Sequence, residues 1–264
     1  MRNITKTLRA MTRFEKIWFA IFSVVIMATT IYFSATSTKW TDPWSIILNW
    51  IISPVSAITG VICVVMCAKG HISNYWWGLI NSITYGILAL VAGYYGDWMI
   101  NWFYFIPTQV LIYVAWKKNT DSDGFAVKKK LSWTGRSIMT ILGIGLIVGL
   151  TLVLDGVNSW FINALKRNVT VYGNLEAMFG WKYLGPTLDA STVVLQIFAE
   201  ILLILRFAEQ WPLWFATNVA SILIWGSVII TDPTSLSYAV PTLVMWIAFL
   251  ANSIYGTISW YRRK

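Results

Sequence analysis

IILNWIISPVSAITGVICVVM, residues 46–66, runs twenty-one positions without a formal charge. At 1.5 Å of rise per residue, about 20 helical residues cross the roughly 30 Å of hydrocarbon in a bilayer. A helix satisfies its own backbone polar groups in lipid, so this stretch reads as a membrane-spanning helix. Seven further stretches read the same way: Trp18 to Ser34, Tyr75 to Ala92, Trp98 to Trp116, Ser137 to Leu154, Ala190 to Ala208, Trp211 to Ile230 and Tyr238 to Trp260. None has the period-two alternation of a membrane barrel strand. The expectation is an all-α integral membrane protein with eight transmembrane helices.

Composition points the same way. Of 264 residues, 57% are hydrophobic and 12% charged, about half the charged share of a soluble domain. That excludes disorder, collagen, coiled coil and an ordinary soluble enzyme. Seventeen tryptophans fit interfacial belts and stacking sites, with Trp18, Trp40, Trp44 and Trp133 read as belt residues. Cys63 and Cys67, four apart in an apolar run, read as packing residues. One histidine, His71, gives no metal-ligand set, and no cofactor is expected.

Charge placement sets the expected orientation. Sixteen of the twenty Lys and Arg fall in one set of segments: five before the first span, Lys69, six from Lys117 to Arg136, Arg206, and the last three residues. Lys39, Lys166, Arg167 and Lys182 make up the other set. The positive-inside rule then places both termini in the cytoplasm. The net charge of +9 is accounted for by topology and anionic lipid, and no nucleic-acid partner is implied. Arg2, Lys6, Arg9, Arg13 and Lys16 precede the first span and no small-residue cleavage site follows it, so the span is read as retained.

Trp77-x-x-x-Asn81 in the third span recurs as Trp214-x-x-x-Asn218 in the seventh. The fourth span ends Gln109, Tyr113, Trp116 before Lys117, and the eighth ends Asn252, Tyr255, Trp260 before Arg262. Corresponding spans lie an even number apart, so the two units run in the same direction, one of the standard transporter plans. The expected organisation is a basic segment and extra helix over 1–43, a first three-helix repeat over 44–118, a linker helix with loops over 119–189, and a second repeat over 190–264. Gly143, Gly145 and Gly149 in the linker read as small-residue helix packing, because no strand precedes them and no lysine follows.

The Trp211-x-x-Trp214 pair with Asn218, inside Glu209-Gln210-Trp211-Pro212-Leu213-Trp214, resembles the PnuC family of bacterial nicotinamide riboside transporters. The likeness extends from Trp44 onward. It implies a fold like that of the sugar-transporting SWEET proteins, facilitated diffusion of the unphosphorylated riboside across the bacterial inner membrane, trapping of the product by a cytosolic kinase, and a homotrimer.

Polar side chains at membrane depth are site candidates because burying them in lipid is costly. Trp211, Trp214 and Asn218 share one helical face, as do Trp77, Asn81 and Tyr85, and as do Trp102, Gln109, Tyr113 and Trp116. Indole and phenol faces suit a flat cation such as a pyridinium, and Asn and Gln suit its carboxamide and ribose hydroxyls. The expected substrate-binding set is Trp211, Trp214, Asn218, Asn81, Trp77, Gln109, Tyr113, Gln196, Glu200 and Asn252, and no residue is assigned to catalysis. Each has a plainer reading. Asn81, Asn218 and Asn252 serve equally as cross-links between helices, Trp211 as an interfacial anchor, and Glu200 with Gln196 as a structural polar pair, a reading favoured over a counter-ion for a cationic ligand.

Glu200 is read as the one clearly intramembrane charge, and no Lys or Arg lies deep enough to meet a phosphate. A mononucleotide should therefore be excluded. No phosphate-binding loop and no chain of membrane carboxylates is present, which leaves passive alternating access as the expected mechanism. Pro54, Pro107 and Pro241 interrupt spans as hinges or static kinks. Residues 155–189 are expected to form an external loop with pieces such as Trp160 to Leu165 on the membrane surface. Another flat vitamin, thiamine or riboflavin, is the alternative substrate; a membrane-embedded enzyme or sensor is the alternative class.

Overall fold

The computed structural model describes residues 11–119, 129–165 and 171–262. The basic residues Arg2, Lys6, Arg9, Lys128, Lys166, Arg167, Arg263 and Lys264 counted for orientation lie outside them. The described residues form helices joined by short turns, with one isolated bridge between Lys129 and Phe207.

Among the described residues, seven helices are long and apolar enough to cross a membrane: α1 (Arg13–Ser37), α2 (Pro43–Lys69), α3 (Asn74–Ala92), α5 (Trp133–Leu165), α7 (Leu184–Ile204), α8 (Gln210–Thr231) and α9 (Leu236–Arg262). The expected fourth span, α4, is composite: Tyr95–Met99, a π turn Ile100–Phe105, then Ile106–Lys117. A matching π turn, Leu48–Ile52, lies within α2. Both π turns stand just before a proline, Pro54 and Pro107, whose missing N–H breaks the regular ladder. Pro241 sits inside α9 without ending it.

The described residues of the expected 155–189 loop, 155–165 and 171–189, are largely helical. Their first part belongs to α5, a short helix α6 (Val171–Phe179) follows, and α7 begins at Leu184. Apolar side chains drive this ordering: Phe161 stacks on Tyr95 at 4.2 Å, and Tyr172 and Leu175 are buried.

Helix contacts close a ring. α2 packs on α3 and α9, α9 on α8, α8 on α7, and α7 returns through α4 to α3. α1 lies outside the ring against α9 and α2, and α5 lies outside against α7. Thr12 and Glu15 form a capping box at the start of α1, and Glu15 also accepts from Lys69 and the Tyr255 hydroxyl, both at 2.8 Å. This ties α1 to the end of α2 and to α9. The Arg136–Glu209 pair at 2.7 Å ties α5 to the start of α8 in the same way.

Two tryptophans cross between the ends of the ring. Trp116 of α4 donates to Leu203 O at the end of α7, and Trp260 of α9 donates to Ala68 O at the end of α2, each at 3.1 Å. Their rings meet at 6.3 Å. Each indole satisfies one of the last four carbonyls of a helix, which have no partner within that helix.

Candidate functional site

All six ring helices line one chamber. α2 contributes Cys63 and Cys67, α3 Asn74, Gly78, Asn81, Ser82 and Tyr85, and α4 Asn101, Phe105, Gln109 and Ile112. α7 contributes Gln196 and Glu200, α8 Trp211, Trp214 and Asn218, and α9 Met245, Trp246, Phe249, Asn252 and Ser253. Centres of water-sized molecules have about 100 Å³ of room inside.

Helical spacing explains which residues arrive there. On α8, Trp211, Trp214 and Asn218 fall at i, i+3 and i+7 and all three face the chamber. On α3 the lining face is Asn74, Gly78, Asn81 and Tyr85. Trp77 lies 100° from Gly78, outside that face, and packs against the cluster of Met11, Ile62, Val65 and Met66. On α4, Phe105, Gln109 and Ile112 line the wall, and Tyr113 turns away to meet the Tyr75 ring at 4.7 Å. Trp77 and Tyr113 therefore leave the candidate set. The π turn also removes Trp102 from the Gln109 face; its indole covers Gly86 and donates to Ile83 O at 3.2 Å.

The amides both cross-link helices and line the chamber. Asn81 donates to Ser56 O at 2.9 Å, Asn218 to Ser253 Oγ at 2.6 Å, and Asn252 to Val64 O at 2.8 Å. Their other atoms are not all engaged. Asn74 Oδ1, Asn218 Oδ1, Trp211 Nε1 and Trp246 Nε1 belong to buried lining residues and have no hydrogen-bond partner in the protein. Unpaired buried polar atoms cost about 1–3 kcal/mol each, and a set of two donors and two acceptors around one cavity is what a polar ligand satisfies.

Glu200 and Gln196 both line the chamber without pairing. Gln196 donates to Asp97 Oδ1 at 3.1 Å, and Glu200 accepts from Thr108 at 3.1 Å. Nor is Glu200 the one buried carboxylate in the spans, since Asp97 and Asp189 are fully buried. Hydropathy ended the expected spans at Trp98 and Ala190, one residue short of each aspartate, whereas the helices begin at Tyr95 and Leu184.

Those aspartates close the chamber at the end away from the α2–α3 turn. Asp189 accepts from the backbone N–H of Gly96 and Asp97, at 3.0 and 3.1 Å, and from the Tyr172 hydroxyl. It thus caps the N-terminus of α4 from α7, where helix-end N–H groups favour a negative charge. Asp97 accepts from Tyr85 at 2.6 Å, Thr192 at 3.0 Å and Gln196 at 3.1 Å, and Trp225 donates to Tyr85 at 3.1 Å. Four ring helices and α6 meet in this lattice. A Cβ on Gly96 would stand 2.8 Å from Asp189 Oδ1, so the cap requires glycine there.

Trp211 is held by a second glycine. A Cβ on Gly256 would run into the indole ring, which also packs edge-on to Trp260 at 6.0 Å. Gly256→Ala is expected to overpack this contact at about 1–3 kcal/mol. At about 2–4 °C per kcal/mol in a chain of this size, the melting temperature in detergent should fall several degrees, and an unchanged value would refute the close approach.

Comparisons with known proteins match this architecture. A family model described as "Nicotinamide mononucleotide transporter" matches residues 49–262. The nicotinamide riboside transporter PnuC of Neisseria mucosa is 30% identical, over 94% of this chain and 81% of the relative. Its namesake from Haemophilus influenzae is 31% identical, over 94% and 89%. A crystal structure of the vitamin B3 transporter PnuC superposes with a TM-score of 0.65 at 28% identity, covering 96% of this chain and 92% of that one. A family model over residues 49–262, together with relatives aligned over nearly the full chain, establishes that this protein belongs to the PnuC family of membrane transporters and is not an enzyme.

Proposed function

We propose that the chain imports nicotinamide riboside by facilitated diffusion, with alternating access to the chamber, and excludes phosphorylated nucleotides. The observation that carries the choice of riboside over mononucleotide is the charge of the wall. Among the described lining residues there is no Lys, Arg or His, and there is one carboxylate, Glu200. A phosphate dianion entering such a chamber loses its hydration and gains no cation. A pyridinium nucleoside finds indole faces and amides instead. The binding set is Trp211, Trp214, Asn218, Asn81, Gln109, Gln196, Glu200 and Asn252.

Eight spans complete this reading, with the composite α4 as the eighth and parallel repeats over 44–118 and 190–264. The reciprocal Trp116 and Trp260 bonds support the repeat, since each half caps the first helix of the other. The prolines beside the π turns of α2 and α4 are the proposed hinges. Residues 1–43 form the basic segment and extra helix and 119–189 the linker, with both termini cytoplasmic at the bacterial inner membrane. The homotrimer is proposed to form on α5, where Gly145, Gly149 and Gly156 face open space outside the ring.

Competition in proteoliposomes tests the reading. Unlabelled nicotinamide riboside should abolish uptake of the labelled riboside, while the mononucleotide at tenfold higher concentration should leave it intact. Equal inhibition by the two refutes phosphate exclusion.

A further inference from the structure

Five carboxylates are buried among the described residues: Glu15, Asp97, Asp189, Glu200 and Glu209. Four have their charge accounted for within the protein. Glu15 holds Lys69 and Glu209 holds Arg136. Asp97 and Asp189 each accept three hydrogen bonds, and Asp189 also sits at a helix N-terminus. Glu200 differs from all of them. It is 3% exposed, accepts a single bond from the neutral Thr108 hydroxyl, pairs with no cation, and faces the chamber. It also stands one turn from the C-terminus of α7, where the helix dipole disfavours negative charge. An ionised carboxylate so under-coordinated in that setting is costly unless a cation completes it.

We propose that Glu200 is the charge selector of the chamber: it completes an ion pair with the positive ring of the substrate, and it makes the protein discriminate the cationic pyridinium nucleoside from its uncharged dihydropyridine form. This rests on the transport reading above and adds the residue that decides between two ligands of nearly equal size and identical ribose. Stacking on Trp211 and Trp214 serves a flat neutral ring almost as well as a charged one, so the rings alone do not separate the two forms. The carboxylate does, because attraction to a buried charge such as Glu200 is far stronger than to one in bulk solvent.

The test is inhibition of labelled nicotinamide riboside uptake into proteoliposomes by the unlabelled riboside and by its 1,4-dihydro form, for the wild type and Glu200→Gln. Gln keeps the Thr108 bond and the side-chain volume while removing the charge. The wild type should favour the cation by about tenfold or more, the order of a single desolvated charge pair. In Glu200→Gln the preference should fall close to unity through weaker binding of the cation, with the affinity for the dihydro form held constant. Equal inhibition by both forms in the wild type overturns the assignment, as does a variant that weakens both equally, the signature of a structural role. If Glu200 instead holds an inorganic cation, replacing Na⁺ and K⁺ with a bulky organic cation will lower wild-type uptake tenfold, which also overturns it. Absence of any saturable riboside uptake overturns the transport reading itself, and this proposal with it.

Discussion

Asp97→Ala is expected to lower folding stability by about 2–5 kcal/mol, with two buried donors left unpaired at about 1–3 kcal/mol each and some of that recovered by relaxation. The two donors are Tyr85 Oη on α3 and Gln196 Nε2 on α7, both residues buried, whereas Thr192 Oγ1 keeps Asp189 O as an acceptor at 2.8 Å. The loss falls on the contact between α4 and its two neighbours, where the helix ring closes. At about 2–4 °C per kcal/mol, the apparent melting temperature in detergent should drop by roughly 10 °C. Asp97→Asn keeps one acceptor oxygen for Thr192 and Gln196 and should cost less than half as much. Asp232→Ala provides the scale of an ordinary cap: it removes the bonds to Thr234 N–H and Oγ1 at a surface helix start, a loss of about 1 kcal/mol. Equal melting temperatures for Asp97→Ala and Asp232→Ala would mean that the lattice does not hold the ring together.

Asp97 is set by partners on other helices, which the sequence does not display. Hydropathy found the helices, because twenty uncharged residues in a row have few alternatives in lipid, but it trims each span at the first charge. Asp97 and Asp189 thereby fall in the expected connections, although each is satisfied by partners on other helices that no window along the chain can display. Periodicity located the α8 face fully and part of α3, since those helices are regular. It misplaced Trp77, which is one residue from Gly78, because a stripe drawn through aromatic residues favours the bulky neighbour over the glycine that opens the wall. It misplaced Trp102 because a π turn carries an extra residue per turn and rotates what precedes it. Cys63 and Cys67, read as packing, both line the chamber. Nothing in their spacing separated an inner wall from a lipid face. The polar atoms left unpaired inside the chamber were visible only once the partners of Asn74, Asn218, Trp211 and Trp246 were known.

Trp214→Ala is expected to weaken nicotinamide riboside binding by between about fivefold and a hundredfold, the range for loss of one aromatic platform under a base at about 1–3 kcal/mol. Trp214 is only partly buried, lines the chamber, and meets Phe105 at 6.3 Å, so its removal leaves the ring of helices intact while taking away a stacking face. Every flat ligand should suffer alike, thiamine and riboflavin included. Asn218→Ala separates the amide from the rings. Its Nδ2 donates to Ser253 Oγ, and that hydroxyl already donates to Phe249 O at 2.9 Å, so little else is disturbed. What disappears is Oδ1, an acceptor without a partner in the protein. Loss of a buried hydrogen bond to the substrate should cost the riboside about tenfold and leave ligands without a matching donor unchanged, which narrows the gap between them. Isothermal titration of both variants with the riboside and with thiamine distinguishes these patterns. If Trp214→Ala spares affinity, or if Asn218→Ala weakens both ligands equally, the binding face is not on α8.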